Sequence, residues 1–122
     1  MTNFIFSNNQ SFPALRVEEG PEYYQDANRR VLTVQLPKNA VSLDALDALL
    51  ANVENLAEVR HQNDENGAQD VFSNYSINMG LAVKNVPVGE DEDGAAITEE
   101  RIEFKLARLT PMESRLKAAG LL

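Results

Sequence analysis

The chain has 122 residues, enough for one domain with one modest core and too few for a separate catalytic domain beside it. Hydrophobic residues make up 43% and charged residues 25%, which excludes a disordered chain, and the lack of cysteine excludes disulfide scaffolds, thiol nucleophiles and thiolate metal sites. The 19 acidic residues against 11 basic ones leave a formal charge of -8, which opposes binding to nucleic acid; in sequence the basic residues are spread out, Arg29-Arg30 being the densest pair.

No internal repeat or low-complexity tract is present. Phe4-Ile5-Phe6, ended by Ser7-Asn8-Asn9, reads as a short strand, and Ala14-Leu15-Arg16-Val17 as a second one stopped by the turn signal Glu19-Gly20-Pro21. Leu32, Val34 and Leu36 alternate with Thr33 and Gln35, a strand buried on one face, and Pro37 stops its ladder. Ser42 is placed to cap a helix over roughly 43–51, whose Leu43, Leu46, Leu49 and Leu50 share one side; Val41 and Leu46 suit a hydrophobic staple. Leu56 to Arg60 reads as extended and Asn63 to Gly67 as a polar loop.

One long strand is expected next, with Val71, Tyr75, Ile77, Met79, Leu81 and Val83 on a single face. Its antiparallel partner carries Ile102, Phe104 and Leu106, and the intervening segment makes a flexible acidic hairpin tip over 87–97. Thr110-Pro111-Met112-Glu113 has the residues of a capping box with proline at the first helical position, so a two-turn helix follows, with Met112, Leu116 and Ala119 near one side and Gly120 at its end.

Few constellations suggest chemistry. Glu90-Asp91-Glu92-Asp93-Gly94 has the oxygen ligands of a calcium loop, but in that register Gly89 takes the first ligand position and no helix precedes it, so the run reads as a solvated tip or one that meets a basic patch on a partner. His61 is the only histidine, without a second histidine or a cysteine to complete a metal set, and is expected to be exposed. Ser7, Ser11, Ser73 and Ser76 lack nucleophile surroundings, and the pairs Glu18-Glu19 and Glu99-Glu100 read as solubilising charge. Tyr23-Tyr24 with Phe12 and Pro13 is the one aromatic concentration outside the main strands, open to either an interface or a core role. Leu121-Leu122, after the helix-ending glycine, either fold back or dock on a neighbour.

The order of elements resembles that of small proteins from the structural modules of tailed bacteriophages and prophages of Gram-positive bacteria. The likeness rests on the opening strand Asn3-Phe4-Ile5-Phe6, the leucine-rich helix Ser42 to Asn52 followed by Glu54-Asn55-Leu56, a tyrosine-containing central segment, and a closing strand and helix beginning near Met112-Glu113. The resemblance implies a virion component of tail, baseplate or head, present in many copies and without chemistry of its own; it carries no functional residue across.

The expected protein is a single α+β domain over 1–122, an antiparallel sheet of about five or six strands with two helices. It is expected to be a non-enzymatic structural or assembly protein that touches other virion proteins and copies of itself. No cofactor, metal, nucleic acid, membrane or small-molecule substrate is expected. The candidate contacts are Tyr23, Tyr24, Glu90, Asp91, Glu92, Asp93, Leu121 and Leu122. With no apolar run near the ~20 residues that cross a bilayer and no basic stretch leading into an apolar segment, it is expected to be made in the host cytoplasm and carried in the virion. The alternative is a small acidic regulatory or inhibitory protein for a cationic enzyme or DNA-binding protein, with a calcium-dependent adhesin as a third.

Overall fold

The alternating segments build two sheets rather than one. In the computed structural model, which describes residues 2–25 and 27–121, the strands are β1 (Thr2–Ile5), β2 (Ser11–Ala14), β3 (Arg16–Tyr24), β4 (Ala27–Pro37), β5 (Glu58–Asn63), β6 (Gln69–Ser73), β7 (Ile77–Glu90) and β8 (Ala96–Ala107), and the helices are α1 (Leu43–Ala51) and α2 (Pro111–Ala118). One antiparallel sheet has the order β2-β1-β5-β6 and the other β3-β4-β8-β7. The fold is α+β with two helices as expected, but eight strands in two four-stranded sheets replace the single sheet of five or six.

Each sheet has one apolar face, and burying both faces against each other satisfies them together. Phe4 and Val59 of the first sheet meet Leu32, Val34, Leu36, Ile102, Phe104 and Leu106 of the second in one buried cluster. The Phe4 and Phe104 rings pack edge to face with centroids 5.6 Å apart, and Phe6 stacks on Phe104 at 6.0 Å. Helix α1 adds Leu46, Leu49 and Leu50 to this core. Its cap is the one the sequence predicts: the Ser42 hydroxyl accepts from the Ala45 N–H at 3.2 Å.

Three expectations are corrected. The chain does not turn at Gly20-Pro21 but continues as β3 to Tyr24, because β3 lies on a sheet edge where a missing N–H breaks no ladder. The reversal comes at Gln25, whose φ of 49° is left-handed. The long strand expected from Val71 to Val83 is two strands in different sheets, since Asn74 takes a left-handed φ of 68° and carries the chain across the core. Phe72, not Val71, therefore packs on the core.

Helix α2 has its capping box: Thr110 Oγ1 accepts from the Glu113 N–H at 3.2 Å, and a Glu113 carboxylate oxygen accepts from the Thr110 N–H at 2.9 Å. Its expected apolar side is not buried, Met112 being exposed and no residue of the helix buried. An ion pair between Arg29 and Glu113 ties it to the sheet instead. Among the described residues no helix is long and apolar enough to cross a membrane.

Candidate contact surfaces

The β7–β8 hairpin projects from the body of the protein, and the cause lies in unequal strand lengths. Strand β4 pairs with β8 only as far as Pro37 opposite Arg101, where the proline ends the ladder and the chain turns toward α1. Strands β7 and β8 continue to pair from Lys84 opposite Arg101 out to Glu90 opposite Ala96, a two-stranded ribbon about 20 Å long at ~3.3 Å per residue. Along it only Val86 and, at its base, Arg101 are partly sheltered, while Val88 is 48% and Ile97 46% exposed.

The pairing runs deeper into the tip than the 87–97 loop expected from sequence, and the turn itself is short. Asp91 organises it: one carboxylate oxygen accepts from the Asp93 and Ala95 N–H groups, both at 2.9 Å, while Gly94 supplies a left-handed φ of 79°. Glu90, Asp91, Glu92 and Asp93 are all exposed, and among the described residues none of them is in an ion pair. No group of three or more His, Asp or Glu is placed to hold a metal ion among the described residues.

Edge protection is built into β7. Pro87, a register shift between Asn78 and Leu81 and another between Pro87 and Gly89 interrupt the row of groups that a foreign strand would pair with. On the β7 side, contacts made by the arm thus fall to its side chains rather than to strand addition.

The aromatic concentration of the sequence divides between the sheets. Phe12 lies on β2 against Phe6, with ring centroids 6.0 Å apart, so it belongs to the core margin. Tyr23 is 69% exposed on the edge strand β3, and Tyr24 beside it is half-buried, its carbonyl accepting from Arg29 Nε at 2.8 Å. Leu121 is 73% exposed rather than folded back, and Leu122 lies outside the described residues.

His61 is not exposed as expected. It sits on β5 between Phe4 and Asp70, half-buried, with Nε2 sequestered from water and unpaired among the described residues. Asp70 is itself exposed, so the two do not form a buried acid–base pair.

Sequence spacing hides an arginine groove. The pairing of Val31 with Ala107 brings Arg29-Arg30, just before Val31, beside Arg108, just after Ala107. With Asn28, Asn74, Thr110 and Ser114 they line an open cavity of about 400 Å³ that has no carboxylate in its lining. Arg29 is committed to Glu113, and the hydrogen bond from Arg29 holds the Glu113 carboxyl down at about 2. Arg30 Nε donates to Glu19 at 3.0 Å. Arg108 forms no ion pair among the described residues, but its charge helps hold the Glu19 carboxyl low, and its guanidinium stands 6.0 Å over the Tyr75 ring.

Tyr75 anchors this end of the core. Its hydroxyl donates to Glu19, and burial, followed by that hydrogen bond, pushes the phenol up to about 12. Folding thus favours the neutral phenol: the contribution is intact below pH 10.0, the ordinary value, and is lost as pH rises through about 12. Tyr75→Phe is expected to cost about 1–2 kcal/mol in urea unfolding and to remove the ionisation near pH 12 from an ultraviolet pH titration.

No family model, curated protein or solved structure matches the chain.

Proposed function

We propose that the protein is a non-enzymatic assembly component of a phage-like particle and acts through protein–protein contacts made by the β7–β8 arm. One observation carries this reading: about 20 Å of paired strand stands clear of the core with Val88 and Ile97 in solvent. A two-stranded ribbon in water is marginal alone, so a ribbon of this length is best accounted for by a surface that covers it. The exposed Tyr23 and Leu121 offer further apolar contact area. The layout of elements that resembles tail, baseplate and head proteins supports the virion setting, in which many copies and neighbouring virion proteins supply the covering surfaces.

Hydrogen–deuterium exchange over a concentration series tests it. Amides of Lys84–Glu90 and Ala96–Glu100 are expected to slow as the protein is concentrated or bound into particles, while core amides stay unchanged. Arm exchange that is the same in dilute protein, concentrated protein and particles contradicts the reading.

A further inference from the structure

The two ends of β8 carry opposite chemistry. Beyond its first residue, Ala96, lies the tip with Glu90, Asp91, Glu92 and Asp93, and just after its last, Ala107, comes Arg108. The carboxylates of Glu90, Glu92 and Asp93 have no hydrogen-bonded or ionic partner among the described residues, and neither do the side chains of Asn28, Asn74 and Ser114 around Arg108. A guanidinium fork flanked by two amides and a hydroxyl is a donor set suited to carboxylate oxygens. Arg29 pairs with Glu113 and Arg30 with Glu19, whose carboxylate also feels Arg108, so three arginines share two carboxylates and the groove keeps a net positive charge.

The complementary groups cannot meet within one molecule. The strand of 12 residues holds its ends about 36 Å apart at ~3.3 Å per residue, and its pairing with β4 and β7 keeps it extended.

Resting on the assembly reading above, we infer that the acidic tip of one copy docks in the Arg108 groove of the next, a head-to-tail contact between two different patches of the same chain. Such a contact is heterologous, so it propagates into a closed ring or an open filament rather than stopping at a two-fold dimer. It also gives the arm a defined register on its neighbour: the tip fixes the far end electrostatically, and the apolar side chains of the ribbon lie along the surface between. Opposite charges raise the rate and selectivity of encounter, while the apolar area retains the contact once made.

A charge swap tests the inference by sedimentation velocity of the whole chain. The groove variant is Arg108→Glu, with Arg108→Gln as a second form that sets no new negative charge near Glu19; the tip variant combines Glu90→Lys, Glu92→Lys and Asp93→Lys, which makes the run net positive, sparing only Asp91 because its carboxylate holds the turn. Thermal melts establish that each is folded. The parent is expected to form larger species as its concentration rises, and either variant alone to associate at least about tenfold more weakly. An equimolar mixture of Arg108→Glu with the tip variant is expected to regain assembly, since each reversed patch then finds its opposite. Folded variants that assemble as well as the parent overturn the tip-to-groove contact and leave arm-mediated assembly standing. A parent that stays monomeric at every concentration, alone and with particles, overturns both.

Discussion

Arg29→Ala is expected to lower stability by about 3 kcal/mol, a large loss for a substitution outside the apolar core. The side chain is only 2% exposed and donates to four groups: Tyr24 O at 2.8 Å, Arg108 O at 3.2 Å, Gln25 O at 3.3 Å, and the Glu113 carboxylate. Truncation leaves those acceptors without their donor and detaches α2, which has no buried residue of its own to hold it. Glu113 is 26% exposed, so water recovers part of the lost solvation, and the low end of the 3–5 kcal/mol usual for a broken buried pair applies. Arg29→Lys is expected to restore little, since one ammonium cannot reproduce the fork that spans these acceptors.

The same pair sets an acid limit. Folding lowers the Glu113 carboxyl from 4.5 to about 2, so its contribution is full above pH 4.5 and disappears as pH falls toward 2. Urea midpoints measured across that window are expected to fall less steeply in Glu113→Gln than in the parent. Equal slopes would show that Glu113 is not the group being titrated.

Trimming the arm is expected to abolish assembly while leaving the fold intact. Val86 pairs with Glu99, so deleting Pro87–Thr98 and joining those two residues by Asn-Gly gives a two-residue hairpin turn of a favoured type. Every residue removed is exposed, and the deletion takes no member of the buried cluster. Stability should therefore shift by less than about 1 kcal/mol. The expected loss is functional: the apolar ribbon and the acidic tip disappear together.

Local features of the fold were legible in sequence. Ser42 and the leucine spacing place α1, the Thr110 to Glu113 box places the start of α2, and the alternation of Leu32–Leu36 and Ile102–Leu106 marks the two central strands. Alternation states that a strand has an apolar face but not which sheet it joins, so the division into two sheets was hidden. The break at Asn74 was hidden too, because hydrophobic residues on either side of it keep an apparent period of two across a left-handed turn.

The candidate site divides in the same way. The acidic run and its place at a hairpin tip were visible, but its projection depends on where β4 stops relative to β8, a relation between Pro37 and Arg101 that no local pattern encodes. The arginine groove joins positions 79 residues apart in sequence. Arg29-Arg30 was its one visible sign, and only the register of β4 on β8 sets Arg108 beside it.

The most direct test of arm-mediated assembly is sedimentation velocity of the full-length and arm-trimmed proteins side by side, at matched concentrations and near-physiological salt. Species larger than a monomer are expected for the full-length protein alone, with the trimmed protein folded and monomeric throughout. Assembly of the trimmed protein to the same size as the parent would contradict the role assigned to the arm.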